Sequence, residues 1–154
     1  NGLGDINGDG RVDIVTPAGW YGAPAERVQG KWVFHADYRV HRIDRPEQPI
    51  AASHPMLVCD VNGDGQNDII VGASHEYGLA WFEQVREGGE ITFRQHAFTG
   101  EKPEQSRYGV KFSQPHALAL TDMDADGVLD LVVGKRFWAH GPAGDPEPNA
   151  PAVL

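Results

Sequence analysis

Cysteine is nearly absent: Cys59 is the only one among 154 residues, so no internal disulfide can brace the fold and the redox compartment stays open. It lies in the apolar run Met56-Leu57-Val58-Cys59 and is expected to be a small core residue. Long apolar runs are missing too, and none approaches the roughly 18 residues of a membrane-spanning helix. Basic residues are in the minority, 13 Lys and Arg against 22 Asp and Glu, for a formal net charge of −9. With no basic stripe to meet phosphate, nucleic acid is excluded as an expected partner. No nucleophile motif or phosphate-cradling glycine loop is visible. No secretory leader opens the chain. It begins without Met and inside a repeat, however, and is read as a piece of a longer protein, so the missing leader carries no weight.

What is present is punctuation: 19 Gly and 11 Pro between short β-branched runs. That pattern predicts an all-β chain rich in turns, of a length that suits one domain.

Three nine-residue stretches organise it. Asp60-Val61-Asn62-Gly63-Asp64-Gly65-Gln66-Asn67-Asp68 carries oxygen-bearing side chains at positions one, three, five and nine, and glycine at position six. Asp5 to Asp13 and Asp122 to Asp130 repeat the pattern through Asp5, Asn7, Asp9 and Asp13 and through Asp122, Asp124, Asp126 and Asp130. A hard cation such as Ca²⁺ takes six to eight oxygens, and alternate residues of a tight loop can aim theirs at one point. The backbone carbonyls at position seven, on Arg11, Gln66 and Val128, are the expected further ligands. Asx-turns alone explain one or two acids per loop, but not the same four positions three times. The expected cofactor is Ca²⁺, about three per chain. Ten of the 22 acidic residues lie in these loops, so three bound ions bring the net charge to about −3.

Position twelve is Thr16, Val71 and Val133, not the bidentate Glu of an EF-hand. Short strand-like runs follow each loop at once, so each loop is expected to join two strands. The spacing from first Asp to first Asp is 55 and then 62 residues, a period that points to a propeller or a similar array. The expected organisation is a first blade over 1–50 with its first strand truncated, a complete second blade over 51–112, and an incomplete third over 113–154 with a Gly/Pro-rich insertion at 141–151. In the second blade the strands fall at Pro55–Cys59, Asp68–Ala73, Gly78–Glu83 and Ile91–His96, with a hairpin turn at Glu87–Glu90. In the first, Asp13–Thr16 leads into a turn-rich excursion carrying Trp20 and Tyr21, then strands at Lys31–Phe34 and Tyr38–Ile43. In the third, Ala152–Leu154 is read as the start of a further strand. Three blades do not close a ring of four to eight, so further blades or another copy are expected.

The motif Asp-x-Asn/Asp-x-Asp-Gly-x-x-Asp before an apolar strand resembles the FG-GAP and VCBS repeat proteins. That resemblance implies a partial β-propeller of four-stranded antiparallel blades, with a calcium loop between the first and second strands of each. The phrases Gly19-Trp20-Tyr21, Gly78–Glu83 and Gly134–Gly141 are similar to those of bacterial VCBS-repeat proteins. A weaker likeness, over His54 to Asp68, is to the propeller part of aldos-2-ulose dehydratases, which are metal-dependent sugar lyases.

In that topology the starts of first strands and the ends of second strands meet on the face opposite the calcium. The expected rim is Trp20, Tyr21, His54, His75, Tyr77, His116, Lys135, Arg136, Trp138 and His140. The aromatics suit stacking on sugar rings, and Lys135 and Arg136 suit an anionic group. His54, His75, His116 and His140, with Arg136, are the candidates for acid-base or transition-metal chemistry. Two plainer readings stand beside this. The histidines serve equally well as hydrogen-bond partners of a neighbouring blade, and Lys135 and Arg136 as ion-pair partners of Asp145 and Glu147 in the insertion. His35, His41 and His96 are expected on outer strands, in solvent. The leading expectation is a carbohydrate-binding module in millimolar calcium, hence secreted, periplasmic or at the cell surface. A sugar lyase or dehydratase, and an integrin-like protein-binding propeller, are the alternatives.

Overall fold

Short β-branched runs between glycine turns fold into three separate antiparallel sheets in this computed structural model, which describes residues 1–41, 55–138, 140 and 144–150. The first sheet has the order β1-β2-β3-β4, built from Gly2–Gly4, Asp13–Thr16, Gly19–Gly22 and Val33–His35. The second has the order β5-β6-β7-β8, from Met56–Cys59, Asp68–Gly72, Leu79–Glu87 and Glu90–Thr99. The third pairs β9, Pro115–Thr121, with β10, Asp130–Lys135. Helix is confined, among the described residues, to one 3-10 turn at Pro103–Gln105. The chain is thus all-β, with four-stranded antiparallel sheets that repeat as the blades of a β-propeller do. The three acidic stretches connect β1 to β2, β5 to β6 and β9 to β10.

Neighbouring sheets meet through their first strands. β1 lies against β5, and glycine makes the approach possible: a Cβ on Gly4 would stand 2.4 Å from the side chain of Val58. Gly72, at the end of β6, is held as closely against the carbonyl of Pro115, at 2.6 Å. Between the first two sheets lies the core, with Ile6, Val15, Trp20, Met56, Ile69 and Phe82 all buried. β6 is buried at every position, because one of its faces meets the first sheet and the other the third. Each of its Ile and Val side chains contributes about 1.5–3 kcal/mol by leaving water.

Two expectations for the first sheet are corrected. Gly19–Gly22 is a strand rather than an excursion, because Pro17-Ala18 closes a tight turn and the chain returns at once along β2. Tyr38–His41 forms no strand beyond an isolated bridge at His41. Tyr38 instead fills the core, with its ring centroid 4.9 Å from that of Phe93 and 5.7 Å from that of Phe82. In the second sheet, the hairpin turn falls at Gly88 and Gly89, both at positive φ, 60° and 92°, where glycine carries no Cβ penalty. Residues 42–54, within the stretch that separates the first two sheets, and the expected strand at 152–154 lie outside the described residues.

Candidate functional site

Each acidic loop is folded around its own carboxylates. Asp5 Oδ1 accepts from the amides of Gly8 at 2.7 Å and Asp9 at 3.1 Å, and Oδ2 from Gly10 at 2.7 Å. Asp60 repeats this with Gly63 at 2.7 Å, Asp64 at 3.1 Å and Gly65 at 2.8 Å. Asp122 accepts from Asp126 at 3.1 Å and Gly127 at 2.9 Å. Position three reaches the amide of position five through Asn7, Asn62 and Asp124. Position five, Asp9, Asp64 and Asp126, reaches the amide of position seven, on Arg11, Gln66 and Val128. Position six is left-handed in all three, with φ of 82° at Gly10, 82° at Gly65 and 87° at Gly127. Position four is left-handed as well, at Gly8, Gly63 and Ala125, a feature that the sequence reading did not single out although two glycines marked it.

Position nine ties loop to sheet. Asp13 accepts from Ile6 and Ala23, both at 2.8 Å. Asp68 accepts from Val61 at 3.0 Å and Gln84 at 2.7 Å. Both are fully buried, and burial raises the pKa of Asp68 above the ordinary carboxylate value. Asp130 accepts from Met123 at 2.9 Å and is exposed. Within each loop the side chains at positions one, three and five make Asx-type contacts to nearby amides, and Asp5 Oδ2, Asp60 Oδ2 and Asp122 Oδ2, each taking one amide, keep a further lone pair for a cation. The fit is clearest in the third loop, where ligand oxygens of Asp122, Asp124 and Asp130 lie within 4.8 Å of one another. The loops differ at position seven. Arg11 pairs its guanidinium with Asp9 and donates Nε to the carbonyl of Ala23 at 2.9 Å. The neutral Gln66 contacts Asp64 at 3.2 Å instead.

The opposite end of the sheets gathers a different set. The segment after β6 brings His75, the start of β9 brings His116, the end of β10 brings Lys135, and the segment after it Arg136 and His140. The rings of His75 and His140 stack with centroids 4.9 Å apart, and those of His75 and His116 are 6.1 Å apart. Asp145 is the centre of the group, with its side chain only 3 % exposed. Arg136 Nη2 donates to Asp145 Oδ2, while His75 Nδ1 stands 3.3 Å from Oδ1 and His140 Nδ1 3.2 Å from Oδ2. Burial alone would raise the Asp145 pKa; the contact with His75 and the charge of Arg136 outweigh it, so the carboxyl lies below its ordinary value.

Gln114, immediately before β9, is the keystone. It is fully buried at φ 57°, and its amide bonds the carbonyl of Glu76 at 2.7 Å. Its side chain accepts from Arg136 Nε at 3.2 Å and donates to the carbonyl of Pro146 at 3.1 Å. Glu147 lies beside it, paired with Lys111 at 2.9 Å, and its carbonyl accepts from Lys135 Nζ at 3.2 Å. Lys111 also stands over the ring of Tyr77, 4.9 Å from its centroid, and burial raises the Tyr77 pKa. The ion-pair reading of Arg136 with the insertion is thus what the described contacts contain. Lys135 meets Glu147 through its backbone.

Of the other expected rim residues, Trp138 is 49 % exposed at φ 49°. Trp20 does not reach the rim. It is buried at 1 % exposure, stacked on His35 at 4.1 Å, with Nε1 donating to Asp37 at 2.9 Å. Tyr21 pairs with Ile14, next to Asp13, and so lies toward the acidic-loop end, against Phe34. Both corrections follow from Gly19–Gly22 being a strand: it carries these side chains back along the sheet. His35 is held against Trp20, and His96 stacks on Trp81 at 4.5 Å and contacts Glu83 at 2.7 Å, so neither stands in solvent alone. His54 lies outside the described residues.

Residues 60–133 match a family model described as an FG-GAP-like repeat. The matched stretch runs from the first acid of the second loop to Val133 in β10, and so supports the FG-GAP and VCBS resemblance across the second and third repeats. No solved structure matches the chain.

Proposed function

We propose that this chain is a calcium-stabilised β-propeller repeat module that binds carbohydrate on the face opposite its acidic loops. The observation that carries the calcium reading is the triplicated loop, in which the first acid holds the amides of positions five and six, the third-position side chain that of position five, and the fifth that of position seven, each time at the joint between first and second strands. Without a cation, each loop crowds three or four carboxylates that repel one another. Asp, Asn and backbone carbonyl oxygens at alternate positions are the hard ligands that Ca²⁺ prefers. The ions are structural: they clamp the hairpin of each blade and supply no chemistry to the opposite face. Loops of this affinity class suit millimolar calcium, so the proposed location is extracellular, periplasmic or at the cell surface. No helix among the described residues is long and apolar enough to cross a membrane.

The ligand reading rests on the other face, where three histidines, Lys135, Arg136, Tyr77 and Trp138 converge. Among the described residues the third sheet has two strands where the others have four. An apolar groove lined by Trp81, Phe112, Leu131 and Val133 runs beside β10. That arrangement suits completion by further strands, from the same protein or from another copy.

Elemental analysis after dialysis against metal-free buffer tests the calcium reading, with about three calcium per chain expected. Finding none removes it. Chelation is expected to lower the melting temperature sharply, since calcium at a hundred times its Kd stabilises by about 2.7 kcal/mol per site. A glycan array tests the ligand reading, and silence from the complete protein sinks it.

A further inference from the structure

Asp145 is an acid held as a ligand would be. Its carboxylate is nine-tenths buried or more, and its three partners arrive from two sheets: His75 from the segment after β6, and Arg136 and His140 from the segment after β10. Arg136 is fixed for this task before Asp145 is counted, because its backbone amide and Nε are both held by Gln114, at 3.0 Å and 3.2 Å. Its Nη2 then donates to Asp145 Oδ2 and stands 2.9 Å from His75 Nδ1. His116 and Lys135 border the same group. A planar guanidinium matches the geometry of a carboxylate, and here two imidazoles flank it. The acid itself comes from 144–150, a segment of turns and bends without a strand, whereas the donors are anchored to the sheets.

We propose that Arg136, His75 and His140 form a carboxylate subsite, and that Asp145 occupies it as an internal stand-in for the carboxylate of an acidic sugar. This rests on the carbohydrate reading above and narrows it to uronate-bearing ligands. A carboxylate on the same chain competes at an effective concentration of order millimolar or more. A free uronate therefore binds the unaltered chain weakly, and a ligand whose neighbouring rings also touch Trp138 or Tyr77 displaces Asp145 more readily.

The test compares the full chain with Asp145→Ala and the near-isosteric Asp145→Asn, in calcium, by calorimetry against galacturonate, acetate and glucose. Imidazole ¹⁵N spectra provide a second readout. Both variants are expected to bind galacturonate at least tenfold more tightly than the unaltered chain. Shifted His75 and His140 Nδ1 resonances are expected on binding, with the gain abolished by adding Arg136→Met. Acetate matching galacturonate would keep the carboxylate subsite and overturn the sugar assignment. Folded Asp145→Asn protein with no gain in galacturonate affinity and unmoved imidazole resonances overturns the subsite. If glucose or a neutral glycan still binds in that case, the carbohydrate reading survives alone. If nothing binds, both fall.

Discussion

Asn67 donates its side-chain amide to the backbone carbonyl of Asp5 at 2.7 Å, joining position eight of the second acidic loop to position one of the first. Gln84, buried in β7, completes the joint: Nε2 bonds the carbonyls of Ile6 at 3.0 Å and Asn67 at 2.6 Å. Its backbone amide meanwhile holds Asp68. Arg86 adds a contact from Nη2 to the Ile6 carbonyl at 3.3 Å and one from Nε to Gln84 Oε1 at 2.8 Å. The first two loops are therefore one hydrogen-bonded unit across two sheets. Position eight of the third loop is Leu129, exposed and without an amide to give.

Loops wired in this way should fill together. Calcium titration is expected to show two coupled sites and one independent site. Asn67→Ala should weaken the coupling, with a stability loss of about 0.5–1.5 kcal/mol for the missing hydrogen bond. Gln84→Met should cost more, about 1–3 kcal/mol for each buried carbonyl left unpaired. Three independent sites in the unaltered chain would refute the coupling.

Arg11 places a guanidinium on Asp9, where the second and third loops have Gln66 and Val128. A fixed positive charge at the acid of position five competes with a cation for the same oxygens. Arg11→Gln should therefore tighten calcium binding at the first loop by several-fold. Calorimetry on that variant decides it, and unchanged or weaker binding counts against the competition.

Trp20 and Tyr21 are neighbours with opposite fates, and alanine scanning separates them. Trp20→Ala should cost about 3–5 kcal/mol, as large core truncations do, and it also removes the hydrogen bond to Asp37. Tyr21, 38 % exposed, should cost far less. Denaturant unfolding measures both, and equal destabilisation would contradict the placement.

Tyr38 sets an alkaline limit. Burial holds its phenol well above the ordinary tyrosine value of 10.0, and the charge of Asp37 adds to the rise. A pKa raised in the folded state contributes stability that is complete below the unfolded value and is lost as pH rises toward the folded one. Stability should fall above about pH 10, by up to about 1.4 kcal/mol per pH unit from this group. Tyr38→Phe should start lower by about 0.5–1.5 kcal/mol, for the hydrogen bond, but lose this slope. Parallel alkaline melting curves for the two proteins would exclude Tyr38 as the cause.

Much of the frame was written locally. Oxygen ligands at alternate positions with glycine at position six, followed by β-branched residues, require a tight loop and a returning strand, because both are short-range consequences of φ, ψ and side-chain reach. The complete second sheet and the positions of all three loops were legible for that reason, down to the Gly88-Gly89 turn. The first sheet was misread where local signals were ambiguous. Gly19-Trp20-Tyr21-Gly22 looks like a loop by composition, and Tyr38-Arg39-Val40 looks like a strand by alternation. Packing decided both: Trp20 finds His35 across β3 and β4, and Tyr38 finds Phe82 and Phe93 in the next sheet.

At the opposite end the sequence placed His75, His116 and Arg136 together, since repeat topology alone brings them to one edge, but it also put Trp20 and Tyr21 there, where the structure does not. Only the tertiary structure decided what they would do there. Whether Arg136 faces solvent or Asp145 depends on where residues 144–150 lie against Gln114. That placement is set by contacts between residues 32 and 70 positions apart, which no local pattern encodes. The same holds for Asn67 and Asp5, 62 residues apart: each is an ordinary loop residue in sequence, and only the close approach of β1 to β5, allowed by Gly2 and Gly4, makes them partners.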